Sequence, residues 1–279
     1  MLRQPVSTIA LRAALFLFLP LTGSHGEAQA AESRGERALK VSFYLNTVPA
    51  MVEMVHGMKK DMLDAFELDA PRRAAAEKAL AELWTEERIY ANAALALDKQ
   101  MSPEDLEAAM AQMTPEVQAM IKAGISEPSA EQAKAWLAEA RKRPDAKVRE
   151  GLARRLAAHL PQPEVFKGLV GQVIDLMADV AQATKGNDEL RSSLRAQFMA
   201  ELVPVIAAMS QKETMVNATI IAYHHQPTEK LKVFADAMDA EAAAKLQRAA
   251  VMSLVTGAKQ TRQEIVSQIQ KDLKPGKKK

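Results

Sequence analysis

The sequence predicts an all-α protein, and three observations lead there. Apolar residues recur at helical spacing along most of the chain, as in Val48, Met51, Val52, Val55, Met58, Met62 and Phe66. Almost nowhere do four or more residues alternate apolar and polar with the β-branched enrichment of a strand. The punctuation is that of helix starts. Ser102-Pro103-Glu104-Asp105 sets a capping hydroxyl before a proline and two acids, where free N–H groups and the helix dipole favour them.

The elements follow in order. Residues 1–30 read as a secretory signal peptide: Arg3 and Arg12 give positive charge, Ala13 to Leu21 is a short apolar run, and Ala28-Gln29-Ala30 is a small-x-small cleavage pattern. The run breaks at Pro20 and ends by Gly23, short of the roughly 20 apolar residues of a span. Cleavage after Ala30 is expected, giving a protein that is periplasmic or secreted, with no transmembrane segment once the signal is removed. The chain has no Cys, so neither a disulfide framework nor thiolate chemistry enters.

After the first apolar stripe, where Pro49 should kink or delay its helix, come the starts at Ser102 and at Thr114-Pro115-Glu116. Ser129 with Gln132 fits a capping box. A second stripe begins near Phe166 and runs through Leu176, Met177 and Val180, and Pro204 interrupts the next stretch. Thr228-Glu229 and Asp239-Ala240-Glu241 mark further starts. A third stripe takes in Val251, Leu254, Val255, Ala258, Ile265, Ile269 and Leu273. The expectation is about ten helices.

Set against itself at an offset of 125 residues, the chain matches Asn92-Ala93 to Asn217-Ala218, Glu104 to Glu229, Leu106 to Leu231 and Met113 to Met238. Val48, Met51, Val52 and Val55 meet Val173, Leu176, Met177 and Val180. An internal duplication of a long-helix, short-helix, helix unit accounts for this. It divides the chain into a first helical repeat (31–125), a connector (126–162), a second repeat (163–273) and a basic tail (274–279), which is expected to be disordered. Asn92 and Asn217 are expected to be partly buried, each bonded to backbone in its own repeat.

Net charge is +2, and four lysines of the tail outweigh it, so a nucleic-acid footprint is absent from the body. Seven basic residues fall between Arg141 and Arg155, among them Lys147, Arg149, Arg154 and Arg155. They make either a solvated helix pair between two lobes or a basic docking surface. The tail suggests a further partner, an anionic envelope surface.

The segment Ala222-Tyr223-His224-His225-Gln226-Pro227-Thr228-Glu229-Lys230-Leu231-Lys232-Val233-Phe234 resembles an uncharacterised bacterial family of exported proteins, carrying domain of unknown function 2059. Met101 to Leu106 is similar to a second, divergent copy, with Ala109 in place of the Phe. The resemblance implies an exported, all-helical protein and supplies no activity.

Catalytic signatures are missing: there is no Gly-x-Ser-x-Gly, no His-Glu-x-x-His and no Gly-rich phosphate loop. No catalytic residue and no cofactor is expected, and the protein is read as not an enzyme. Glu53 and His56 have the Glu-x-x-His spacing of di-iron bundles, yet the duplicate positions are Ala178 and Ala181. Met51, Met54, Met58 and Met62 share one helix face beside His56, a set of soft ligands that could hold Cu(I). Methionine also packs helix cores well. His224 and His225 are adjacent and diverge by about 100° on a helix, so they cannot chelate one ion together. The expected function is binding or scaffolding, with a partner protein or apolar ligand in a groove between helices. The alternative is a small-ligand or copper carrier using the methionine face.

Overall fold

The structure is a computed structural model and describes residues 33–274, apart from 43, 45, 46, 125–127, 160–162, 187 and 210. Residues 1–30, read above as a signal peptide, and nearly all of the basic tail therefore lie outside the described residues. Among those residues the chain is helical throughout, with no strand. The helices are α1 (Arg34–Lys40), α2 (Thr47–Ala65), α3 (Ala70–Leu83), α4 (Glu86–Gln100), α5 (Pro103–Gln112), α6 (Pro115–Ala123) and α7 (Ala130–Ala140). They continue as α8 (Ala146–Ala157), α9 (Pro163–Lys185), α10 (Asp188–Met209), α11 (Lys212–Ala222), α12 (Thr228–Asp239) and α13 (Glu241–Leu273).

Among the described residues there are thirteen helices, where about ten were expected. Two of the extra boundaries fall at the Asp69-Ala70-Pro71 start of α3, where the proline sits in the first turn, and at Thr85 before α4. The chain turns after α2 at Glu67, whose φ of 48° is a left-handed conformation that L side chains seldom adopt. Asp69 then caps α3, accepting from the Arg72 amide at 3.0 Å, and Thr85 caps α4 through the Arg88 amide at 3.2 Å. Where Pro does occur, it acts as its position dictates. Pro49 lies in the first turn of α2, where a missing N–H costs nothing, while Pro204 stands inside α10. Ser102, Thr114 and Ser129 cap α5, α6 and α7, the last as a full capping box. Thr228 does not cap: Pro227 holds that position and the threonine hydroxyl is used elsewhere.

The core forms around α13, whose 33 residues extend about 50 Å. It packs along α4, α9, α3 and α5. Leu246, Ala250, Leu254, Ala258, Ile265 and Ile269 are fully enclosed there, each large side chain contributing about 1.5–3 kcal/mol by leaving water. The approach to α4 is close because Gly257 faces backbone: a Cβ there would lie 2.6 Å from Ala93 N and 2.7 Å from Ile89 O. α1 also packs on α4, with the Gly35 amide donating to Asp98 Oδ1 at 2.9 Å. Trp84 is wholly buried and donates its indole N–H to the Met51 carbonyl.

A second group of helices comes from the middle of the chain. α7 and α8 pack on α11, α8 also packs on α12, and α6 lies against α12. No helix of the described residues is long and apolar enough to cross a membrane.

Candidate binding grooves

The chain leaves α11 through a turn at Tyr223–Gln226 whose carbonyls lie outside the helical ladder, and α8 supplies a donor for them. Arg149 projects from α8 and is buried. Its Nη2 donates to the carbonyls of Tyr223 (2.9 Å) and His224 (3.4 Å). Nη1 donates to the Gln226 carbonyl at 2.7 Å and to Thr228 Oγ1 at 3.1 Å. Burial pushes this guanidinium down from its usual range, but the carbonyl fork keeps it in place. Thr228 in turn donates to Asp145. Arg143, 3.0 Å away, and this hydroxyl hold the Asp145 carboxyl down at about 2.

This clamp fixes α12 beside α8 and leaves a groove of about 490 Å³ between them. Val148, Gly151 and Leu152 from α8 face Thr228, Glu229 and Lys232 from α12. Val148, 58% exposed, lines the groove from the α8 side. At the rim, Arg155 is tied to Asp236 and Asp239, both at 2.7 Å, and His159 Nε2 lies 2.6 Å from Asp239.

On the other side of the same turn, His224 stacks in parallel on Trp136, centroids 5.2 Å apart, and His225 meets both rings edge-on. His224 Nε2 is 3.4 Å from Glu139, while its buried Nδ1 has no hydrogen-bond partner among the described residues. Burial lowers the His224 pKa, against the pull of Glu139.

A second, polar cleft of about 530 Å³ opens where α9 and α13 diverge. Its wall is braced by a ladder of charges. Asp175 and Asp179, one turn apart on α9, meet Arg195 (3.2 Å) and Arg191 (2.8 Å) from α10. Arg262 from α13 reaches both aspartates, at 2.6 and 3.2 Å, as ion pairs outside hydrogen-bond angles. The arginine is only 10% exposed, so its two carboxylates are a condition of its burial.

Met51, Met54, Met58 and Met62 are buried in the main core. Glu53 and His56 are exposed, and His56 Nε2 sits 3.1 Å from the Trp84 carbonyl. Among the described residues no group of three or more His, Asp or Glu side chains is arranged to hold a metal ion. Asn92 is buried as expected, but its partners are side chains on α13 rather than backbone within residues 31–125. Asn217 is half-buried.

The basic stretch is largely engaged within the molecule: Arg143 with Asp145, Arg149 in the clamp, Arg154 with Glu150 and Glu213, and Arg155 with α12. Sequence reasoning missed Arg149 and Arg262 as structural cations. For Arg262 a signal was present, an arginine one turn before Ile265 and one turn after Ala258 of the third stripe. No family model, no curated protein and no solved structure matches the chain.

Proposed function

We propose that the chain is an exported helical binding protein that takes an apolar segment of a partner protein into the groove between α8 and α12. The observation that carries this is Val148. A large apolar side chain stands exposed beside Gly151 and Leu152, in a groove held open by the Arg149 clamp rather than closed by packing. Recesses of several hundred Å³ with an apolar floor and a few fixed polar groups are the usual form of binding sites. Export follows from residues 1–30 and agrees with what the family resemblance implies. Protein recovered from the cell envelope should begin at Ala31, and an intact Met1 would refute that part.

Duplication belongs to the same proposal. Helix starts recur at an offset of 125 or 126 residues: Glu86 with Lys212, Pro103 with Thr228, Pro115 with Glu241. The last helix of each repeat packs on the other repeat, α6 on α12 and α13 on α4 and α5. An exchange of that kind makes the two repeats one cooperative body.

The groove is tested with a variant that fills it. A Cβ at Gly151 meets nothing within 4 Å, so Gly151→Phe can enter the groove without displacing backbone. An anilinonaphthalene sulfonate probe should brighten on the unaltered protein and lose most of that signal on Gly151→Phe at unchanged helicity. Equal brightening on both would overturn the reading. The copper-carrier alternative is disfavoured because the methionine face is enclosed by other helices. Competition between the protein and a Cu(I) chelator tests it separately.

A further inference from the structure

The cleft between α9 and α13 has a lining that the proposed groove does not use. From α9 come Asp179, Gln182, Ala183 and Gly186, and from α13 come Gln263, Val266, Ser267 and Gln270. Both sets run at i, i+3, i+4 and i+7, so two helical stripes face one another across the opening. Three primary amides and one hydroxyl line it, and only Ala183 and Val266 are apolar. Gln182 Nε2 donates to Asp188 and Ser267 Oγ to the Gln263 carbonyl, so Gln182 Oε1, the Ser267 lone pairs and the exposed amides of Gln263 and Gln270 face a ligand. Gly186, with φ of 66°, ends α9 without a side chain and leaves that end of the cleft open.

Each class of occupant can be weighed against this lining. A cation needs an unmatched carboxylate, but Asp179 is already held by Arg191 and Arg262. An anion would approach the carbonyl end of α9, where the helix dipole is negative. A docked helix has satisfied its own backbone, so it would strip water from the three amides and return too few bonds. A neutral ligand rich in hydroxyl groups meets every requirement, because each hydroxyl donates and accepts, as each amide does. Asp179 adds a carboxylate oxygen whose direction is fixed by two arginines, a preorganised acceptor. We infer that the α9–α13 cleft is a binding site for a neutral sugar, held by Gln182, Gln263, Gln270, Ser267 and Asp179.

The test is an NMR titration of the full-length mature protein with glucose, trehalose and N-acetylglucosamine, with inorganic phosphate and magnesium as charged probes. Saturable shifts confined to α9 and α13 are expected with at least one sugar and with neither charged probe. Gln263 and Gln270 are exposed, so Gln263→Ala/Gln270→Ala should keep its melting temperature while binding weakens about tenfold or more. Sugar affinity unchanged in that variant would overturn the inference. So would the absence of saturable shifts with all three sugars, or shifts driven by phosphate or magnesium instead. Because Gly151→Phe lies in the other groove, its behaviour towards the sugars separates this site from the proposed one.

Discussion

Asn92 Nδ2 donates to Thr261 Oγ1 at 3.0 Å, joining α4 to α13 across 169 residues of sequence in a buried contact. The same amide lies 3.4 Å from Glu264 Oε1, and Arg88, one turn earlier on α4, pairs with Glu264 at 2.6 Å. One face of α4 thus reads one face of α13 through a polar seam set in apolar surroundings.

Removing the amide should therefore be costly. Asn92→Ala leaves Thr261 without its buried donor and is expected to lower stability by about 1–3 kcal/mol in urea unfolding. Asn217→Ala, at the matched position but half-buried, should be neutral or slightly stabilising, since Ala favours helix. Equal effects at the two sites would contradict the distinction.

Glycine substitutions should split by sign. Gly257→Ala drives a methyl against the backbone of Ile89 and Ala93, which cannot yield as a flexible side chain would. A loss of about 1–3 kcal/mol is expected, outweighing the gain in helix propensity. Gly57 in α2 is exposed, with nothing within 4 Å of a Cβ, so Gly57→Ala should gain about 0.5–1 kcal/mol. Melting curves of the two variants decide it.

The helical class, the caps at Ser102, Thr114 and Ser129 and the apolar faces are legible in the sequence because each is local, whereas the starts expected at Thr228 and Asp239 carry no side-chain cap. Ser102, Thr114 and Ser129 need only their own first turns to act. The break at Glu67 was not legible, since a left-handed backbone is the habit of Gly and seldom of Glu. Nor was the role of Arg149, which looks like any member of a basic run until α11 and α12 bring four acceptors around it. The methionine stripe was legible as a stripe. Whether it met solvent or other helices depended on contacts with α4, α9 and α3, far along the chain.

Arg149→Lys tests the clamp. A single ammonium cannot reproduce a guanidinium fork spread over the carbonyls of Tyr223, His224 and Gln226. The loss should be about 2–3 kcal/mol, with Arg149→Met no better. Hydrogen exchange should quicken at the start of α12 before it does in α13. Uniform quickening would argue against a local clamp.

Stability should depend on pH through His224. Its pKa in the folded protein lies below the ordinary value of 6.5, chiefly because of burial. The folded state therefore binds fewer protons than the unfolded one, and stability rises with pH through this window. The contribution is full above about 6.5 and is lost as pH falls from there through the lowered value. Glu139 opposes the shift, while His225, Arg149 and Arg143 reinforce it. Asp145, held at about 2, loses its contribution only in stronger acid. Unfolding midpoints for His224→Phe should vary less between about pH 7.5 and 5 than those of the unaltered protein. Parallel curves would exclude His224 as the source.

The central claim is that the groove between α8 and α12 is where a partner binds, and site-specific photo-crosslinking from Val148 in living cells measures it most directly. The expected result is a discrete adduct from Val148 that disappears when Gly151→Phe fills the groove, with none from the equally exposed Val203 on α10. An adduct that persists in Gly151→Phe, or forms equally from both valines, would contradict the account.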